Sequence, residues 1–179
     1  FYRTLQSKNY KKCIVIISDG FRYEMAHELY ELIRADAVLK GSEKITCAIS
    51  PLPSETRFGM ASLLPHRSLS YQNGDVYVDG LPTNSTAARN AILKAKRSSY
   101  AAIQYEDIAK MKRQALRSYM SDKSLVYVYH NVIDNAGEHS ERKVFDVAAT
   151  AIKEILDLVK KIYNDLQISN FFITADHGF

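Results

Sequence analysis

The chain has 179 residues, of which 46% are hydrophobic and 25% are charged, a composition that is ordinary for a globular domain and excludes a long disordered chain. Its net charge of +4 and pI near 8.9 are too weakly basic to establish nucleic-acid binding. The apolar runs are short and broken by charge, so we expect no membrane span and no signal peptide. Cys13 and Cys47 each lie in an apolar run, which favours buried free thiols over a disulfide and therefore a cytoplasmic setting.

The first element is a strand followed by a helix. Residues 13–18 read CIVIIS, a continuous apolar run typical of a strand buried on both faces of a parallel sheet. Asp19 and Gly20 end this strand. Apolar residues then recur at helical spacing, which predicts a helix over 22–35.

The next region combines a short apolar run with a proline-rich loop. Residues 45–49 read ITCAI and predict a second strand. The prolines of the segment 50–54 prevent regular ladder hydrogen bonding there. A helix is expected from residue 54 or 55 to Leu64, with Thr56 in its first turn.

The remaining elements alternate between strands and helices. We predict strands over 76–78, 101–105, 124–130 and 170–175, and helices over 86–97, 106–120 and 141–166. This alternation indicates an α/β fold with a mostly parallel central sheet. The length fits one domain that covers residues 1–179.

Three of the predicted strands end in residues that bind metals. Asp19 follows the first, Asp134 and His139 lie in the loop after the strand that ends at His130, and Asp176-His177 follow the last. The carboxyl ends of parallel strands meet at one edge of the sheet, where ligands bind. Aspartate and histidine together suit zinc, manganese or iron better than calcium.

A nucleophile is expected at the loop–helix boundary that contains Thr56. Backbone N–H groups at a helix N-terminus attract phosphate, and a hydroxyl placed there can attack phosphorus when a metal ion activates it. Arg57 and Arg22 are candidate ligands of the phosphoryl oxygens. The alternative is that Thr56 only caps the helix and the arginines are solvent-exposed charges.

Four sequence blocks resemble the PglZ domain of the alkaline phosphatase superfamily. They are residues 17–24 (ISDGFRYE), 52–65 (LPSETRFGMASLLP), 128–134 (VYHNVID) and 173–179 (ITADHGF). The resemblance implies a three-layer α/β sandwich with an alkaline-phosphatase-like core. It also implies a cytoplasmic component of a bacterial phage-defence system of the BREX or phage-growth-limitation type.

The same resemblance assigns roles to individual residues. It implies that Asp19, Asp176 and His177 hold one divalent metal ion that also contacts the nucleophile Thr56. It implies that Asp134 and a following histidine hold a second ion. Zinc is expected for both, with manganese or magnesium as alternatives.

The second site departs from the superfamily pattern. That pattern has histidine four residues after the aspartate, whereas here Glu138 occupies this position and His139 follows it. His139, Glu138 and His130 are therefore rival ligands, with His139 preferred. The superfamily's last histidine is missing after His177, so we expect an excised domain without its C-terminal part and an incomplete second site.

The expected function is metal-dependent hydrolysis of a phosphomonoester or phosphodiester. The main alternative is a non-catalytic metal-binding scaffold that docks other defence proteins, such as a DNA methyltransferase. A phosphoryl transferase and a nuclease are weaker alternatives. The basic residues of the segment 110–117 are the local support for a nuclease, although a solvated helix face is the preferred explanation for them.

Overall fold

The computed structural model describes residues 1–8, 10–41, 43–133 and 144–178. Its strands are β1 (Cys13–Ser18), β2 (Leu69–Gln72), β3 (Asp75–Val78), β4 (Leu81–Pro82), β5 (Tyr100–Gln104), β6 (Leu125–His130) and β7 (Phe171–Thr174). Its helices are α1 (Tyr2–Ser7), α2 (Tyr23–Ala35), α3 (Thr56–Leu63), α4 (Thr86–Lys96), α5 (Tyr105–Lys110), α6 (Arg113–Met120) and α7 (Val144–Leu166).

The main sheet has four parallel strands in the order β5-β6-β1-β7. Every residue of β1 and β6 is buried, as expected for central strands that helices cover on both faces. The register pairs Ser18 with His130 and Ile17 with Thr174. The carboxyl ends of β6, β1 and β7 therefore lie side by side.

Alternate residues of β1 enter two different cores. Ile14 and Ile16 pack with residues of α2, α5, α6 and α7, whereas Val15 and Ile17 pack with residues of α3 and α4. Full burial of each such aliphatic side chain contributes about 1.5–3 kcal/mol. Burial of β1 in both cores fixes this strand and thereby the position of its carboxyl end. These features confirm a mixed α/β fold with a mainly parallel sheet.

A small antiparallel sheet, in the order β2-β3-β4, lies beside α3. Val76 and Val78 of β3 enter the same core as α3. The β2–β3 turn contains Asn73 and Gly74, both with positive φ, which suits these residue types. The sequence predicted only the strand over 76–78 of this sheet, and β2 and β4 were not predicted.

Three expectations from the sequence are wrong. Residues 45–49 form no strand, and Ile49 is 99% exposed, because the side chains of this run enter neither hydrophobic core and a strand depends on such packing. The helix expected over 106–120 is divided into α5 and α6, where Lys161 donates hydrogen bonds to the last carbonyls of α5. Cys13 is buried as expected, but Cys47 is exposed, and both thiols are free.

No helix in the described ranges has the length and apolar character needed to cross a bilayer.

Candidate metal centre

Asp19 lies where β1 stops and the chain turns. Gly20 follows it with a φ of +67°, a conformation that glycine adopts without strain. The turn directs the Gly20 N–H to Oδ1 of Asp176 at 3.3 Å. The Asp-Gly pair therefore ends the strand and links it to the segment after β7.

Asp176 and His177 follow β7, which pairs directly with β1. Nε2 of His177 lies 3.2 Å from Oδ1 of Asp19 and 3.6 Å from Oδ2 of Asp176. One ligand atom from each of these three residues lies within 4.8 Å of the others. Two ligands of a single zinc ion are separated by at most about 4.2 Å, twice a typical bond length, so this group needs little movement to hold one.

Thr56 is the first residue of α3, and its side chain contacts the same group of residues. Its Oγ1 lies 3.4 Å from Oδ1 of Asp19 and 3.1 Å from Nε2 of His177. The side chain is half-buried. We call Asp19, Thr56, Asp176 and His177 the acidic cluster.

Gly59 lets α3 approach the segment after β7. A Cβ atom at this position would lie 2.3 Å from the main-chain oxygen of Asp176 and 2.6 Å from its carbonyl carbon, distances that real Cβ contacts do not show. Gly59 is three residues after Thr56, so both face the same side of the helix. The missing side chain therefore sets the spacing between Thr56 and Asp176-His177. Ser54 adds a second link, because its hydroxyl donates to the Gly178 carbonyl at 3.1 Å.

The electrostatics of the acidic cluster favour a cation. Asp19 is 1% exposed and Asp176 is 3% exposed. Within the described residues, Oδ2 of Asp176 accepts no hydrogen bond, since Nε2 of His177 is too distant for one. Burial raises the pKa of Asp176 above its usual value, while His177 opposes this effect. Two buried carboxylates, one with an unsatisfied oxygen, and an imidazole fit a divalent metal ion.

An open cavity of about 390 Å³ lies over this site. Its lining residues come from the N-terminal end of α3 and from the segment after β7: Ser54, Glu55, Thr56, Arg57 and His177. The Arg57 guanidinium is held at the side of this cavity, with Nε 3.1 Å from Glu55 and Nη1 donating to the Gly74 carbonyl at 2.5 Å. Arg22 lies at the N-cap of α2, three residues after Asp19.

His130, a rival ligand in the sequence, lies in a different group. Its Nδ1 is 2.9 Å from the Ser18 hydroxyl and its Nε2 is 2.9 Å from the Glu154 carboxylate. We call Ser18, His130 and Glu154 the anchor cluster. Asp134, Glu138 and His139 lie outside the described residues, so the second metal site stays a prediction.

The structure adds residues that the sequence interpretation did not single out. Gly59 had a signal in the sequence, because a glycine inside a helix weakens that helix by about 1 kcal/mol and so suggests a packing or functional reason. Ser18 and Glu154 had no comparable signal, since a serine at a strand end and a glutamate in a long helix are common.

Comparison with known families decides the relationship. Residues 2–179 match the family described as the BREX system PglZ alkaline phosphatase-like domain. The chain belongs to the PglZ family. The expected resemblance is thereby confirmed over nearly the whole sequence.

Two curated relatives agree with this membership. The chain is 42% identical over 172 residues to the "Alkaline phosphatase-like protein PglZ" of Bacillus cereus (strain H3081.97), covering 94% of this chain and 20% of that protein. It is 41% identical over 179 residues to the "Alkaline phosphatase-like protein BrxZ" of Escherichia coli O9:H4 (strain HS), covering 97% of this chain and 20% of that protein. The chain thus spans about a fifth of each relative. No solved structure matches it significantly.

Proposed function

We propose that the chain carries the site of a metal-dependent phosphate-ester hydrolase, with Thr56 as its nucleophile. The observation that carries this proposal is the contact of Thr56 Oγ1 with both Asp19 and His177, beside an unsatisfied oxygen of Asp176. A hydroxyl that only capped its helix would instead accept hydrogen bonds from the backbone N–H groups of the first turn.

In this proposal Asp19, Asp176 and His177 hold one divalent ion, with zinc preferred because the donors are carboxylates and an imidazole. A bound divalent ion supplies positive charge that favours the alkoxide form of a nearby hydroxyl and stabilises phosphoryl oxygens. Asp134 and His139 are proposed for a second ion. The same proposal includes the three-layer alkaline-phosphatase-like core and the cytoplasmic setting. It also includes Arg22 as a ligand of the phosphoryl oxygens.

In the proposed reaction, Thr56 of the acidic cluster attacks phosphorus, and other groups of α3 bind the anionic substrate. Thr56 Oγ1 forms a bond to phosphorus and releases its proton to solvent, while the bond from phosphorus to the ester oxygen breaks and that oxygen takes up a proton from solvent as the alcohol departs. Water then attacks the phosphothreonine, which restores the threonine hydroxyl and releases phosphate. Backbone N–H groups in the first turn of α3 and the nearby Arg57 favour the anionic substrate.

The proposed biological setting follows from the family. The relatives are named as PglZ and BrxZ proteins, and the family belongs to the BREX system. We propose that this protein is a component of such a phage-defence system and acts beside other defence proteins, with a DNA methyltransferase as one candidate partner.

A substitution at Thr56 tests the nucleophile. The purified protein, loaded with Zn²⁺ or Mn²⁺, is assayed with aryl phosphate monoesters and diesters. Thr56→Ala should lower turnover by at least about a thousandfold, whereas Thr56→Ser should retain part of it. The control is Thr150→Ala, which alters an exposed threonine of α7. Equal turnover by Thr56→Ala and the wild type would contradict the assignment.

One observation favours the scaffold alternative. Arg57 commits Nε to Glu55 and Nη1 to the Gly74 carbonyl, which leaves fewer of its N–H groups for phosphoryl oxygens than an arginine without these contacts would have. Metal content measured by mass spectrometry, together with a screen of phosphate esters, separates the two functions. Bound metal without turnover of any ester supports the scaffold.

A further inference from the structure

The anchor cluster is a buried chain of hydrogen bonds on the opposite face of the sheet from Thr56. Ser18 and His130 are fully buried, and Glu154 of α7 is about one-third exposed. The Tyr105 ring packs edge-on against the imidazole, with 4.8 Å between the ring centroids. The imidazole is therefore held by two hydrogen bonds and one aromatic contact.

Donor and acceptor roles in this chain follow from its chemistry. A carboxylate can only accept hydrogen bonds, so the Glu154 contact requires a hydrogen on Nε2 of His130. Nδ1 is then free to accept the hydrogen of the Ser18 hydroxyl. Glu154 thus fixes the ring orientation and, through it, the direction of the Ser18 side chain.

His130 also holds Asp19, the residue that follows β1. Its main-chain oxygen accepts a hydrogen bond from the Asp19 N–H at 2.9 Å. His130 of β6 therefore forms hydrogen bonds to two consecutive residues. It contacts the side chain of Ser18, the last residue of β1, and the backbone N–H of Asp19, which follows. The Asp19 carboxylate emerges on the other face, where it contacts Thr56 and His177.

We propose that Glu154, acting through His130 and Ser18, is a positioning residue that fixes the orientation of Asp19 for metal binding. This inference rests on the proposed function, because it assigns a purpose to the placement of Asp19. It also explains why a polar chain is maintained in the core: a saturated network is rigid, whereas an apolar contact would not specify the ring orientation.

The test compares substitutions of two acidic residues of α7, Glu154 and Asp157. Glu154→Ala removes the acceptor without harming helix propensity, Glu154→Gln keeps an amide oxygen that accepts from Nε2, and Asp157→Ala removes an exposed carboxylate one turn away. Zn²⁺ affinity is measured by competition with a chelating dye, and kcat and KM are measured with an aryl phosphate ester.

Glu154→Ala should weaken Zn²⁺ binding about tenfold, as losses of outer hydrogen-bond partners do, and should lower kcat with little change in KM. Glu154→Gln and Asp157→Ala should resemble the wild type. Wild-type Zn²⁺ affinity and kcat in Glu154→Ala would overturn the proposal. So would equal impairment of Glu154→Gln, or of Asp157→Ala.

A measurement without metal keeps this inference separate from the proposed function. Amide hydrogen exchange of Asp19 should be faster in Glu154→Ala, because the backbone hydrogen bond to His130 is loosened. Unchanged exchange overturns the proposal. A wild type that binds no Zn²⁺ and hydrolyses no ester contradicts the proposed function instead. If Glu154→Ala does not fold, Ser18→Ala replaces it with the same expected results.

Discussion

Two polar clusters lie at the same edge of the parallel sheet, on opposite faces, and they differ in how fully their atoms are satisfied. In the anchor cluster, the Ser18 hydroxyl and both ring nitrogens of His130 have partners at 2.9 Å. In the acidic cluster, a buried oxygen of Asp176 has no hydrogen-bond donor among the described residues. Burial of a charged group without a partner is costly. The saturated cluster is therefore suited to fix the backbone, and the unsaturated one is suited to receive a cation.

Substitution of Asp176 should give the largest effect and separate the clusters most clearly. Asp176→Asn removes a buried charge that a metal ion would need, so metal affinity should fall by at least about a hundredfold, beyond the range seen for outer partners. The metal-free protein should become more stable in chemical denaturation, because a desolvated carboxylate has been removed. Asp122→Asn, which alters an exposed carboxylate beside Lys123, is the control.

The same substitution carries a pH dependence of known sign. Burial raises the pKa of Asp176, so the metal-free wild type loses stability as the pH rises through that raised pKa. Asp176→Asn lacks this loss. Parallel stability profiles for the two proteins, measured by denaturation across the acidic range, would contradict the electrostatic account of the acidic cluster.

A side chain at Gly59 should damage the acidic cluster by geometry rather than by charge. Gly59→Ala places a methyl group against the backbone of Asp176, which should cost about 1–3 kcal/mol of unfolding free energy, only partly offset by better helix propensity. Displacement of α3 should also lower turnover. Gly41→Ala is the matched control, since its nearest heavy atom is 3.9 Å away. Equal stability and turnover in both variants would argue against the close approach.

Truncation of Ser18 should act in the opposite direction to Asp176→Asn in the absence of metal. Ser18→Ala leaves Nδ1 of His130 buried without its partner, which should destabilise the protein by about 1–3 kcal/mol. The measurement is the free energy of unfolding in metal-free buffer. A stabilising Ser18→Ala would remove the distinction between a saturated and an unsaturated cluster.

The smallest effect is expected at an ion pair remote from both clusters. Asp36, the C-cap of α2, contacts Lys160 at 2.7 Å and accepts hydrogen bonds from the backbone N–H groups of Val38 and Leu39. The Lys160 bond and then these N–H groups lower the pKa of Asp36 to about 2. Its stabilisation is present above its ordinary pKa of 3.8 and is lost as the pH falls toward 2.

Asp36→Asn should therefore lose a little stability at neutral pH and show a flatter acid transition, measured by thermal unfolding. Its metal affinity should equal that of the wild type. A change in metal affinity would show that electrostatics far from the carboxyl edge also controls the acidic cluster.

The sequence predicted the alternation of β1, α2, α3, β6, α7 and β7 because buried parallel strands leave continuous apolar runs and amphipathic helices leave a periodic one. It also predicted that Asp19, Asp176 and His177 would meet, since topology brings strand ends to one edge, whereas the place of Thr56 beside them was expected from the family resemblance. The strand expected over 45–49 was wrong because strand formation depends on packing of the side chains against neighbours and a core, which local propensity does not encode.

The anchor cluster shows why other parts of the site were beyond prediction. His130 follows a strong strand and has a ligand side chain, so the sequence alone could not separate it from a metal ligand. Its role depends on Ser18, 112 residues away, and on Glu154, 24 residues away. Such contacts arise from register and helix packing, which no local pattern specifies.

The most direct test is anomalous diffraction at the zinc absorption edge from crystals of the protein grown with Zn²⁺. A peak within bonding distance of Asp19, Asp176 and His177, next to Thr56 Oγ1, is the predicted result. The Ser18–His130–Glu154 chain should remain free of zinc in the same crystals. An anomalous peak bound to His130 and Glu154, or none at the acidic cluster, would contradict the account.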